Sequence, residues 1–198
     1  MPRPPRIQVA GGIYHVGIRG VRRSRIFRNE GDYNLFESLL EDVVTRFEWR
    51  CHTYCSMPNH YHLLVETPQP NLSAGMQRLN STYAQWFNQL HGFSGNVFER
   101  RFFSRLVEST YDFLELVRYI VLNPVRAGIC GDARAWKRSD YRALAGESSP
   151  ATFLTTDLVL SHFGREPEPS HEAFRDFIRT APPHYRSRAA ARRATSGV

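Results

Sequence analysis

Two stripes of apolar residues at helical spacing, each set between short β-prone runs, restrict this 198-residue chain to few folds. Phe36, Leu39, Leu40, Val43, Val44 and Phe47 recur at i, i+3, i+4, i+7, i+8 and i+11, which predicts an amphipathic helix over 31–48. Leu72, Met76, Leu79, Tyr83, Trp86, Phe87 and Leu90 predict a second helix over 72–90, with Asn71 as its N-cap. Ile13-Tyr14-His15-Val16-Gly17-Ile18 reads as a strand after Gly11-Gly12. Residues 50–57 and 60–66 read as a hairpin turning at Pro58-Asn59, and 96–107 as a fourth strand, bulged. The order β-α-β-β-α-β is the ferredoxin-like α+β pattern: an antiparallel sheet with two helices on one face and the opposite face left free for a site or a partner.

A further helix opens at Ser109, with Asp112 completing a capping box, and is expected to run to Asn123, where Pro124 stops it. Three regions follow: a mobile Pro/Arg-rich lead at 1–10, the α+β domain at 11–146, and a C-terminal helical extension at 147–198. In the extension, 147–150 reads as a linker, 153–163 and 171–178 carry helical patterns, and Arg186, Arg188, Arg192 and Arg193 mark a disordered basic tail.

Charge narrows the class of partner. Lys and Arg number 26 against 19 Asp and Glu, a net charge of +7 that suits a polyanion. Lys137 is the only lysine, and arginine favours bidentate phosphate contacts, although an Arg-rich codon usage gives the same composition. No apolar run approaches the ~18–20 residues that span a bilayer. The first residues lack the apolar stretch of a signal peptide. Cys51, Cys55 and Cys130 are too few for a disulfide framework and fit a reducing cytoplasm. The first two, four apart, are expected on one strand face as small core residues.

His60-Tyr61-His62 is the sharpest local signal. Residues i and i+2 of a strand share a face, so both imidazoles leave the sheet together, while Tyr61, Leu63 and Val65 point to the helices. Two imidazoles can share a divalent ion; they can equally be two surface histidines on a polar face. On the last helix, Phe113, Leu116, Val117, Ile120 and Val121 form the buried stripe, with Tyr119 and Asn123 together on one flank. That flank presents a phenol and an amide to a site, or else a boundary tyrosine and an ordinary helix-ending asparagine.

Met57-Pro58-Asn59-His60-Tyr61-His62-Leu63-Leu64-Val65, followed by Tyr119-Ile120-x-x-Asn123-Pro124-Val125-Arg126-Ala127-Gly128, resembles the single-tyrosine HUH transposases. Among them it is most similar to the REP-associated tyrosine transposases, relatives of bacterial insertion-sequence transposases. Tyr14-His15-Val16, Tyr83-Ala84-x-x-Phe87-Asn88 and Gly95-Asn96-Val97-Phe98-x-x-Arg101-Phe102 support the likeness, which covers roughly 11–146 in one order. The family's fold is the ferredoxin-like sheet.

The resemblance implies that Tyr119 attacks a phosphodiester of single-stranded, hairpin-flanked, REP-like DNA, forming a 5′-phosphotyrosine and a free 3′-OH. It implies that His60, His62 and Asn123 hold one divalent cation, Mg²⁺ or Mn²⁺, with Zn²⁺ an alternative in vitro. It also implies a bacterial cytoplasmic enzyme at the nucleoid, monomeric or homodimeric, serving DNA transposition or REP dissemination. Arg19, Arg22, Arg23, Arg25 and Arg28 are candidates to grip a hairpin stem, and Arg100, Arg101 and Arg105 a second stretch. Unpaired bases are expected to stack on Tyr14, Phe102 or Phe103. A non-cutting DNA-binding protein of the same fold and a replication or conjugation initiator are the competing readings. The latter usually carries a helicase or a second tyrosine, and this chain offers neither motif.

Overall fold

The computed structural model describes residues 8–182 and 185. The expected flexible lead, apart from residues 8–10, and the arginines of the basic tail lie outside the described residues.

Four antiparallel strands form one sheet in the order β2-β3-β1-β4, the ferredoxin-like arrangement. They are β1 (Gly12–Arg19), β2 (Arg50–Met57), β3 (His60–Thr67) and β4 (Phe103–Leu106). Helices α1 (Glu30–Arg46) and α2 (Leu72–His91) cover one face. Their stripes pack on Tyr14, Val16, Tyr61, Leu63 and Val65, the inward residues of the two central strands. Asn29 and Asp32 form a reciprocal capping box at the start of α1, and Asp32 also meets His91 at the end of α2. Asn71 does not cap α2. Its amide instead accepts from Trp49 Nε1 at 2.7 Å and donates to the Phe47 carbonyl, pinning the α1–β2 turn.

The opposite face is not left free. Helix α3 (Thr110–Val121) lies across its β2–β3 half, because Phe113, Leu116, Val117, Ile120 and Val121 need an apolar partner, and Cys55, Met57 and Leu64 supply it. Ser109 caps α3 through the Asp112 amide, but the Asp112 carboxylate goes to Arg105. Pro124 does not stop the chain's helical course. The backbone kinks at Leu122 and takes one more turn, α4 (Asn123–Arg126), with Pro124 in the first turn, where no amide hydrogen is needed.

Short α5 (Tyr141–Leu144), α6 (Asp157–Ser161) and α7 (Pro167–Arg179) complete this second core, with Val159, Phe174 and Ile178 buried in it.

Two irregularities depart from the sequence pattern. Cys51 and Cys55 do not share a face: a bulge at His52 shifts the register, so Cys51 joins the core under α1 and α2, and Cys55 joins the one under α3. Burial pushes both thiols up. The fourth strand is also shorter than expected. Gly17 pairs with Phe103 and Gly20 with Phe98, so four residues, 99–102, stand opposite two, Ile18 and Arg19.

Candidate active site

The register of β1 against β3 puts His15, Gly17 and Arg19 on the same face as His60 and His62. This is the α3 face, at the border where the helix cover ends. The His60 and His62 rings stand 5.1 Å apart, edge to face. Helix α3 brings Tyr119 to the same border, 5.4 Å from His62 and 5.8 Å from His15, ring centre to ring centre. The kink into α4 sets Asn123 below it, with Oδ1 3.4 Å from His60 Nε2. A hollow of about 650 Å³ is lined by His60, Tyr119, Asn123, Arg19, Arg23 and Arg126.

Hydrogen bonds fix one imidazole. Asn59 Nδ2 donates to the Arg23 carbonyl, so Asn59 Oδ1 faces His60 and accepts from Nδ1 at 2.7 Å. With that proton on Nδ1, His60 Nε2 is left as an acceptor, and its 3.4 Å contact with Asn123 Oδ1 is the looser of the ring's two. His62 Nδ1 lies 3.0 Å from His15 Nε2, and one proton is shared there; carried on His62, it leaves Nε2 bare. All three imidazoles are neutral at pH 7. Burial, then Arg19, lowers His60 to about 4; burial, then Arg105, lowers His15 to about 4; burial, then the neighbouring histidines, holds His62 far below its ordinary value.

Among the described residues no three His, Cys, Asp or Glu side chains could hold a metal ion by themselves. A site here takes its third donor from the amide. Two donors each ~2.1 Å from one six-coordinate ion, at right angles, stand about 3 Å apart, so His60 Nε2 and Asn123 Oδ1 fit a small divalent cation.

The arginines divide. Arg19, Arg22, Arg23, Arg25 and Arg28 are all exposed, with Arg22 and Arg23 in left-handed backbone conformations that turn the chain sharply after β1. Arg19 and Arg23 reach the tyrosine hollow, whereas Arg25 and Arg28 line a separate one, with Arg28 over the Phe93 ring. Arg100 and Arg101 project from the irregular segment before β4. Arg105 is held in a two-pronged bond by Asp112, at 2.8 Å on each arm. Of the three aromatics expected to stack on bases, Tyr14 and Phe102 are buried in the α1–α2 core, leaving Phe103, 44 % exposed.

The family described as transposase IS200 like matches residues 8–123. The chain belongs to that family. This IS200-like transposase is also similar to a curated REP-associated tyrosine transposase of Haemophilus influenzae, with 24 % identity over 66 % of this chain and 80 % of the relative. A solved REP-associated tyrosine transposase, bound to a REP hairpin, shares its fold: TM-score 0.64, 19 % identity, 78 % of this chain and 92 % of that one. The transposase is a DNA-processing enzyme of mixed α+β architecture, and no described helix is long and apolar enough to cross a membrane.

Sequence reasoning about the transposase missed two residues of the site. Arg126 lies 4.6 Å over the Tyr119 ring. Tyr119, Asn123 and Arg126 are spaced i, i+4, i+7, one helical face, but a helix thought to stop at Pro124 conceals the third. His15 touches His62 across strands 47 residues apart in sequence, which only the β1–β3 register reveals.

Proposed function

We propose that this transposase cuts and rejoins single-stranded DNA next to REP-like hairpins, with Tyr119 as nucleophile and His60, His62 and Asn123 holding one divalent cation, Mg²⁺ or Mn²⁺. The observation that carries the reading is the meeting of the Tyr119 phenol, the His60 imidazole and the Asn123 amide oxygen in one arginine-lined hollow, with the His62 ring 5.4 Å from the Tyr119 ring beside it. The hairpin bound to the similar solved chain and the name of the Haemophilus influenzae relative support the substrate. One chain carries every group, which supports a site completed in cis by a monomer.

Tyr119 Oη forms a bond to phosphorus as the bond from phosphorus to the 3′-oxygen breaks. The phenol proton passes to water, and the departing 3′-oxygen takes a proton from water. The phosphotyrosine keeps the phosphodiester's bond energy, so a later 3′-OH can displace Tyr119 without ATP. A phenol with an ordinary pKa near 10 is a weak nucleophile at pH 7. When bound, the cation polarises the scissile phosphate and offsets charge on the leaving oxygen. Neutral ligands leave the ion's charge undiminished for phosphate. Arg126 holds the ring face of Tyr119, and Arg19 and Arg23 offer N–H groups to phosphate oxygens.

The test is incubation with Mn²⁺ and hairpin strands carrying single-stranded flanks. A protein–DNA adduct that survives denaturant, and that Tyr119→Phe abolishes, is expected. Adduct formation by Tyr119→Phe, or DNA binding with no cutting by the wild type in any divalent ion, would contradict the proposal and favour a non-cutting DNA-binding protein.

A further inference from the structure

A second hollow, of about 320 Å³, lies on the other side of the histidine pair. The two extra residues of 99–102 push the chain away from the edge of β1 and open it. Gly17 allows its wall to form: a Cβ there would meet the Phe103 ring at 2.7 Å and the Tyr61 carbonyl oxygen at 2.5 Å. Without one, the Phe103 ring leans over the strand, edge-on to His15 at 5.0 Å and 5.9 Å from His62. Arg19, Arg100 and Arg101 rim the space. Among the described residues Arg101 has no ion-pair partner, and Arg100 reaches only its neighbour Glu99, at 3.7 Å.

His60 and Arg19 line both hollows and form the wall between them. His15 and His62 likewise stand between Tyr119 and Phe103. Displacement at phosphorus runs in line, with entering and leaving oxygens on opposite sides. A phosphate at the histidine pair, attacked from the Tyr119 side, therefore sends its leaving 3′-oxygen toward Phe103.

We infer that this second hollow binds the nucleoside immediately 5′ of the scissile phosphate, the one released with a free 3′-OH, its base stacked on Phe103 and its own 5′-phosphate held by Arg100 and Arg101. The inference rests on the proposed attack by Tyr119. Aromatic stacking accepts every base, so the hollow anchors the strand end between cutting and rejoining without dictating sequence.

The experiment first maps the cut bond, by sequencing the released strand. Strands are then made with an abasic residue immediately 5′ or immediately 3′ of that bond. Wild-type, Phe103→Ala and Phe103→Tyr proteins are compared in single-turnover adduct formation. Affinity for the same strands is measured in the uncut state, with Tyr119→Phe added. The 5′ abasic residue is expected to weaken both readouts about tenfold, the scale of one lost stack. Phe103→Ala should lose the same factor on the intact strand and nothing further on the abasic one, and Phe103→Tyr should retain wild-type values. A purely structural effect of Phe103→Ala on His15 and His62 would multiply with the abasic loss instead, and that result overturns the inference. So does a loss confined to the 3′ abasic strand. Either result with a working adduct leaves Tyr119 attack intact; absence of any adduct from the wild type overturns both.

Discussion

Asp140 is fully buried with one carboxylate oxygen accepting from Thr53 Oγ1 and the Tyr54 amide, and the other without a partner among the described residues. Burial raises it to about 7. An acid raised above its unfolded value near 3.9 contributes stability that is whole below that value and is lost as pH climbs to the folded one. Asn at this position keeps the accepting oxygen and carries no charge. The melting temperature of Asp140→Asn minus that of wild type should therefore rise from pH 4 to about 7 and then level, in thermal melts across a buffer series; a difference independent of pH would refute the assignment. The arginines give a second test. Each phosphate released from single-stranded DNA changes the slope of log affinity against log salt by about 0.7. Arg101→Gln should reduce the slope by about that amount, whereas Arg105→Gln, whose guanidinium is already held by Asp112, should leave it unchanged in binding titrations. At this scale strand spacing put His60 with His62 and helix spacing put Tyr119 with Asn123, but that the two pairs belong to one site was legible only in the family resemblance. His15 and Arg126 were not legible, since one depends on a long-range register and the other on a proline read as a terminus.

The strands and helices were legible where apolar spacing is regular, and lost where one or two residues break the count. A single extra residue at His52 reverses the phase of β2, so every position N-terminal to it changes face. Two extra residues before Phe103 turn an expected long strand into a four-residue one and a hollow. Neither insertion leaves a mark in composition, since each is stabilised by what packs around it: the His52 ring meets the Thr155 carbonyl and Glu66, and Phe102 enters the α1–α2 core. Helix α2 carries a related constraint at Gly75, where a Cβ would overlap the buried Trp49 ring. Alanine in a helix interior gains about 1 kcal/mol over glycine. Overpacking a well-filled core loses ~1–3 kcal/mol, and Trp49 cannot retreat without breaking its bond to Asn71. Gly75→Ala should destabilise the fold by a net of up to ~2 kcal/mol, read as a lowered urea midpoint at constant slope; a raised midpoint would mean that Trp49 moves freely.

The whole molecule has two cores on one sheet, and the second depends on the chain's end. The family match stops at residue 123, yet the segment beyond 146 contributes Phe153 to the α1–α2 core and Val159, Phe174 and Ile178 to the α3 core. It also covers the β2 edge, where Thr155 donates its amide to the Cys51 carbonyl and Leu154 pairs alongside. Phe177 lies 3.6 Å under the buried Arg118 guanidinium and accepts a hydrogen bond from it, which fastens α7 to the helix that carries Tyr119. Each buried apolar side chain contributes roughly 1.5–3 kcal/mol, against a total stability of about 5–15 kcal/mol for a domain. Four of them, with an edge strand laid open, amount to most of that margin. A chain ending at residue 146 should thus lose its cooperative melt, bind a hydrophobic dye and form no adduct. The decisive comparison is a heat-capacity scan of both lengths. If the short chain melted cooperatively within a few degrees of the full one, the end of the chain would be an accessory rather than part of the fold, and its place beside Tyr119 would concern DNA alone.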